Sequence, residues 1–295
     1  MVCRHERSQT AAAALIGLAL AALVAWAPAA TAAFPGANGT IAFTVAVGGV
    51  DRVAVTSGAA AAPAVVTAGS DPAWSADGAR LAYGLRGIVV ANTDGSGAVR
   101  VTSGRTDGDP SWSPDGLQIA FTRTTGRNQD VYVIRADGSG LRRLTRVRAP
   151  DQEAAWSPDG ARIAFSSRRD GNWELYSMRA DGREQRRLTR TRTLEGAPSW
   201  SPDGLSLAFY RVSGNRADLW VARADGTSAR RLTRRAGNEV DPAWSPDGAT
   251  IAFATDRGGR WTVDTVRADG TARTTVAAPV GIASHPDWQP LRTPG

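Results

Sequence analysis

The chain has 295 residues, 42% of them hydrophobic and 21% charged, with a formal net charge of +7. Every basic residue other than histidine is an arginine, and the only cysteine is Cys3, so a disulfide scaffold and a Cys-built metal site are both excluded. Two histidines, His5 and His285, leave little for imidazole catalysis.

In chain order, the first segment is 1–33. Arg4, His5 and Arg7 open it, an Ala/Leu-rich stretch runs from Ala11 to Trp26, Pro28 interrupts it, and small residues follow to Ala33. That order predicts a secretory signal peptide cleaved after Ala32 or Ala33. The competing reading is a retained membrane anchor, because a span needs ~20 apolar residues. No later segment could cross a membrane. The export reading places the mature chain outside the cytoplasm, periplasmic or secreted. There, excess arginine points to anionic surfaces such as wall polymers rather than to nucleic acid.

From Phe34 onward a phrase recurs. Five full copies end on Trp-Ser-(Ala/Pro)-Asp-Gly, with tryptophans at Trp74, Trp112, Trp156, Trp200 and Trp244, and Asp-Trp-Gln-Pro at 287–290 is a sixth, truncated copy. The last four tryptophan spacings are all 44 residues. A period of ~40–50 residues marks a propeller or solenoid. The 262 residues after the leader divide into six stretches of just under 44, which leaves none for a second domain.

Residues 151–194 show one repeat in full. Ala154–Ser157 is a short apolar strand, and Pro158-Asp159-Gly160 is turn chemistry. Ile163-Ala164-Phe165 is β-prone, and Trp173–Met178 alternates with the period of a half-buried strand. Arg186–Thr189 is a polar fourth strand. Four short strands per repeat predict a blade, with the Trp strand (A) innermost and the arginine strand (D) as a charged outer edge. The fold class is therefore all-β, a six-bladed propeller of four-stranded antiparallel blades. The expected blades are 34–70 plus 285–290, 71–108, 109–150, 151–194, 195–238 and 239–284. Six B-strand phrases exist, from Ile41-Ala-Phe43 to Ile251-Ala-Phe253. The first lacks a Trp phrase before it and the last Trp phrase lacks a B strand after it. Strand A of blade 1 should therefore come from the C-terminus, and blade 1's C and D strands should be Val53–Thr56 and Val65–Thr67.

The phrase resembles the WD40-like PD40 repeat of TolB-like propellers. The stretches that carry the likeness are 109–121, 130–140 and 142–145, and it extends over essentially 34–290. The resemblance implies the propeller only, because the 33 residues before Phe34 cannot supply the separate domain that TolB carries ahead of its own. It is specific for fold and weak for function, since such propellers include binding modules, envelope scaffolds and non-catalytic parts of peptidases.

No nucleophile elbow, H-E-x-x-H or P-loop is present. The best candidates stand three residues before each Trp: Asp71, Asp109, Glu153, Ala197, Asp241 and His285. Each is expected to begin an innermost strand, so symmetry would gather Asp71, Asp109, Glu153, Asp241 and His285 at one mouth of the central channel. Clustered carboxylates call for a cation, a partner's Arg or Lys, or hydrogen bonds. A weak divalent ion such as Ca²⁺ is one expectation, and bonding to local amides or the neighbouring blade is the other. Antiparallel tracing puts Arg123, Arg168, Arg169, Arg211 and Arg257 on the same loop face, as a rim. These features predict a monomeric, exported, non-catalytic propeller without a cofactor, recognising a protein or an anionic envelope polymer. The alternatives are an exported propeller enzyme (lactonase, polysaccharide lyase or peptidase-associated) and a Tol–Pal-like envelope component.

Overall fold

The computed structural model describes residues 34–58, 61–234 and 237–291, and the predicted leader lies outside them. All regular structure in these residues is strand. Blade 1 supplies β1 (Ala37–Val47), β2 (Val50–Thr56) and β3 (Ala64–Ala68). Blade 2 is β4 (Ser70–Trp74), β5 (Arg80–Gly84), β6 (Ile88–Asn92) and β7 (Val99–Arg100). Blade 3 is β8 (Asp107–Trp112), β9 (Gln118–Thr125), β10 (Asn128–Arg135) and β11 (Arg142–Arg143). Blade 4 is β12 (Asp151–Trp156), β13 (Arg162–Ser167), β14 (Glu174–Arg179) and β15 (Arg186–Arg187). Blade 5 is β16 (Leu194–Trp200), β17 (Ser206–Ser213), β18 (Arg216–Arg223) and β19 (Arg230–Arg231). Blade 6 is β20 (Glu239–Trp244), β21 (Thr250–Thr255), β22 (Thr262–Arg267) and β23 (Thr274–Ala277), after which β24 (Ile282–Leu291) returns to blade 1.

Six four-stranded antiparallel sheets result, one of them ordered β24-β1-β2-β3. The predicted closure is present, with Ile41 opposite Trp288 and Ala42 opposite Asp287. The first strands pack on one another in a ring, from β24 to β4, β8, β12, β16, β20 and back to β24. They are the innermost strands, and from Trp112 to Trp244 they are buried almost throughout.

The repeated words have separable physical roles. In Ser-(Ala/Pro)-Asp-Gly the serine hydroxyl donates to the aspartate, whose same oxygen accepts the amide two residues on, as at Ser157, Asp159 and Ala161. The turn aspartates are thus spent on their own turns. In Arg-Arg-Leu-Thr the second arginine pairs with a buried C-strand acid: Arg143 with Asp130 at 2.7 Å, Arg187 with Glu174 at 2.9 Å and Arg231 with Asp218 at 2.6 Å. The threonine hydroxyl then accepts a C-strand amide, as Thr189 does from Leu175. The D strand is therefore less a charged fringe than expected, because only its first arginine faces outward.

The residue before each Trp alternates between alanine and a side chain that can accept a hydrogen bond. Ser111, Ser199 and Asp287 accept the backbone N–H of Trp156, Trp244 and Trp74 on the next blade. After an alanine the contact switches: Trp112 and Trp200 send their indole N–H to the carbonyls of Ala73 and Ala155, both at 3.1 Å.

Candidate functional site

The six positions three residues before each Trp do not begin their strands. Each sits inside strand A, at a register shift against strand B. Each also has left-handed backbone: Asp71 at φ 54°, Asp109 at 52°, Glu153 at 56°, Ala197 at 49°, Asp241 at 56° and His285 at 52°. Such a conformation costs about 1–3 kcal/mol per non-glycine residue. Because Ala197 shares it, the strain belongs to the propeller's inner bulge rather than to any one side chain's chemistry. The bulge is also what turns these side chains toward each other.

Three of the five polar residues touch, and Asp109 and Glu153 lie within electrostatic reach of the others. His285 lies between two acids, with Nδ1 3.3 Å from Asp71 Oδ1 and Nε2 3.7 Å from Asp241 Oδ2. Burial pushes Asp109 well above the ordinary carboxylate range, and the nearby charges of Asp71 and Glu153 push it further. Burial raises Glu153 to about 8, against hydrogen bonds from the Ser166 hydroxyl and the Ala197 amide. It raises Asp241 to about 6, against His285. Tyr210, buried and close in field to Glu153 and Asp241, lines the sector where Ala197 carries no acid. A Cβ on neighbouring Gly196 would stand 2.5 Å from the Tyr210 hydroxyl, so glycine is what makes room for that ring.

Part of the ring is bound to the neighbouring blade, as the second sequence expectation holds. Glu153 Oε2 accepts from Ala197 N at 2.6 Å and Asp241 Oδ2 from His285 N at 3.3 Å. Thr44 and Thr122 hydroxyls accept the amides of Asp71 and Glu153 at 2.8 and 3.2 Å. Within the ring two buried carboxylate oxygens remain without a hydrogen-bond partner among the described residues, Glu153 Oε1 and Asp241 Oδ1, and outside it one oxygen each of Glu174, Glu195 and Glu239 does the same. No group of three or more His, Cys, Asp or Glu side chains among those residues is placed to hold a metal ion. The expected Ca²⁺ therefore finds no ligand set: the acids share a field without meeting at one point.

The rim divides into two classes. Arg168 and Arg257 are exposed on the loop face. Arg123, Arg169 and Arg211 are built into their blades instead. Arg123 makes a two-pronged pair with buried Asp107, both contacts at 2.7 Å, Arg169 reaches Asp151 at 2.9 Å and Arg211 reaches Glu195 at 2.5 Å. Each guanidinium also lies over aromatic rings of strands B and C: Arg211 sits 3.8 Å from the Trp220 ring centroid and Arg169 4.7 Å from that of Tyr176. These three arginines are structural ties, since burying a carboxylate requires such a partner. Arg273, which the sequence reading did not single out, does the same in blade 6, bridging Glu239 and Asp264. A recurring acid-to-arginine interval of 16 residues, Asp107 to Arg123 and Glu195 to Arg211, was the available signal.

The opposite edge carries a cavity of about 500 Å³ on blade 4, lined among others by Asp159, Arg162, Arg179, Asp181 and Glu184. Its lining brings three acids beside two arginines, with Arg179 and Glu184 3.4 Å apart. Among the described residues no helix is long and apolar enough to cross a membrane.

The TolB beta propeller domain profile, PD40, matches residues 61–292. The fold is similar to TolB from Acinetobacter baumannii, with TM-score 0.74 and 24% identity over 85% of this chain and 67% of that one. It is also similar to a protein assigned as TolB from Agrobacterium tumefaciens, with TM-score 0.64 and 23% identity over 78% and 94% of the two chains. An oligogalacturonate lyase in complex with manganese shares the fold at TM-score 0.53 and 13% identity, over 82% and 74%. No curated protein sequence matches the chain significantly.

Proposed function

The chain belongs to the TolB beta propeller domain family, and from that premise we propose that it is an exported binding propeller that recognises a protein through the loop face and channel ring. The observation that carries this reading is the pair of buried carboxylate oxygens, Glu153 Oε1 and Asp241 Oδ1, left without a hydrogen-bond partner among the described residues, in a ring where burial raises Asp109, Glu153 and Asp241. Unpaired buried acceptors are costly, so a site that keeps them is suited to receive a donor. Without a metal-ligand group in the ring, the fitting donor is a cationic side chain. Propellers of this fold include enzymes as well as TolB. Binding is favoured over catalysis here by the ring's content of acids beside a single imidazole.

The mechanism follows from the field. An incoming guanidinium or ammonium favours the charged form of each ring acid. Glu153, held near 8, is mostly protonated at neutral pH and must release its proton on binding. Affinity should therefore rise from pH 5 to pH 8. The test is capture of partners from the native envelope at both pH values, using the parent and an Asp109→Asn/Asp241→Asn variant of matched melting temperature. Capture that is stronger at pH 8 and lost in the variant supports the reading. Capture unchanged by the double substitution overturns it.

A further inference from the structure

The excess positive charge of the chain is one-sided. At the C–D turns of blades 3–6 each exposed arginine is followed two residues on by an aspartate, as in Arg135 and Asp137 or Arg179 and Asp181, so that edge offsets its own charge. The loop face of blades 3 and 4 does not. Its β9–β10 hairpin exposes Arg127 and its β11–β12 link Arg146 and Arg148, while the β13–β14 hairpin exposes Arg168 and the β15–β16 link Arg190 and Arg192. None of the six pairs with a carboxylate among the described residues. Asp170, the acid exposed beside Arg168, is taken by the Tyr176 hydroxyl and by Arg187 at 3.0 Å. A surface with one sign of charge and no local counterion is a steering and docking surface for the opposite sign.

The two links repeat one device. Arg146-Val147-Arg148 and Arg190-Thr191-Arg192 stand 44 residues apart, each directly after the D-strand threonine, Thr145 or Thr189. In both, the arginines are exposed and the residue between them is half-buried. The backbone carbonyl of that middle residue accepts an asparagine side chain from the neighbouring hairpin: Val147 from Asn128 at 3.0 Å and Thr191 from Asn172 at 3.1 Å. The β13–β14 hairpin also reaches back to the first link, the Arg168 N–H donating to the Pro150 carbonyl at 3.0 Å. Hydrogen bonds thus join hairpin, link, hairpin and link into one run, which carries six cations on a braced backbone. The one aromatic side chain of those hairpins and links, Trp173, is buried at 3% exposure. Guanidinium groups without an exposed ring to stack on read charge rather than bases.

We propose that this arc is a docking track for a linear phosphodiester polymer that carries no bases, laid across blades 3 and 4 with successive phosphates on the arginines. The guanidinium fork matches phosphate oxygens two at a time, which suits a chain of arginines without a lysine. A second copy of this chain is selected against, because it would bring the same cations against each other. The arc uses none of the ring acids, so it stands or falls independently of the binding reading above.

The probe is poly(glycerol phosphate), titrated into the full chain by calorimetry over a series of NaCl concentrations. Six phosphate contacts give a slope of about −4 in log K against log salt. An Arg146→Gln/Arg148→Gln/Arg190→Gln/Arg192→Gln variant should lose about tenfold or more in affinity, and its slope should shrink to about −1. An Arg135→Gln/Arg179→Gln/Arg223→Gln/Arg267→Gln variant loses the same charge from the opposite edge and should stay within about twofold of the parent. Both sets of substitutions are exposed, so both variants should fold. Equal losses in the two variants would reduce the effect to net charge and overturn the assignment. It is overturned as well if the parent fails to bind at millimolar phosphate, or if free glycerol phosphate binds as tightly as the polymer. Single-stranded DNA of matched charge binding more tightly than the polymer would also overturn it, since bases would then be read.

Discussion

Three buried carboxyls, Asp109, Glu153 and Asp241, set how the ring responds to pH. Glu153 is fully buried and its folded-state value, about 8, lies far above the ordinary 4.5. An acid raised on folding binds more protons in the native state than in the unfolded chain between those two values. Stability from this group is therefore full below about pH 4.5 and is lost as pH rises toward 8. Asp241, raised to about 6, adds a smaller loss in the same direction. Glu153→Gln removes the titration and keeps an acceptor for the Ala197 amide. The variant should match the parent near pH 4.5 and exceed it in melting temperature at pH 8. Equal melting temperatures at pH 8 would show that Glu153 is ionised without penalty. The ring position itself was legible three residues before each Trp. Its left-handed bulge was not, because Asp, Glu, Ala and His share no side-chain preference that announces positive φ, and the conformation is imposed by pairing against strand B.

At the scale of the strand, the legible part was the turn punctuation and the alternation, and the illegible part was which charges meet. Arg123, Arg168, Arg169, Arg211 and Arg257 look alike as letters in loops. Ladder register separates them: Glu195 stands directly opposite Arg211, and Asp107 opposite Arg123, so those arginines stay in the sheet. Burial pushes Glu195 upward, and Arg211 together with a Thr189 hydroxyl holds it back. Arg211→Leu would leave that carboxylate buried without its guanidinium. The expected cost is about 3 kcal/mol, or a fall of roughly 6–12 °C in melting temperature for a chain of this size. Adding Glu195→Leu in the same chain should recover much of the loss, because replacing both partners removes the uncompensated charge. Arg168→Ser, on the exposed side of the same face, should stay within about 0.5 kcal/mol. Thermal melts of the three variants separate a structural tie from a free rim cation, and equal melts for Arg211→Leu and Arg168→Ser would contradict that division.

Across the whole molecule the two chain ends govern the fold. Phe34 is buried at 4% exposure and Gly36 donates to the Pro246 carbonyl at 3.3 Å, so blade structure starts at the residue where the leader is expected to end. Mass spectrometry of the chain from its native host should find an N-terminus at Ala33 or Phe34, whereas retention of Met1 to Trp26 would favour the anchor reading. At the other end, β24 is both the inner strand of blade 1 and a link in the central ring. Its Trp288 stands opposite Ile41 and packs with a cluster that joins blades 6 and 1 through Phe43, Ala252 and Val263. Its Asp287 accepts the Trp74 amide of blade 2 at 2.7 Å. Deleting 286–295 would remove those contacts, expose the β1 edge and open the seam between blades 6 and 2. Unpaired inner edges are a template for association, so the deletion should aggregate or lose cooperative unfolding. Trp288→Ala should keep the strand and cost about 3 kcal/mol through lost packing alone. Deleting only 292–295, which leaves every β24 pairing in place, should change neither solubility nor melting temperature. A soluble 286–295 deletion that unfolds in one cooperative transition would mean that five blades and an open sheet suffice, and that the terminal strand is not what closes the ring.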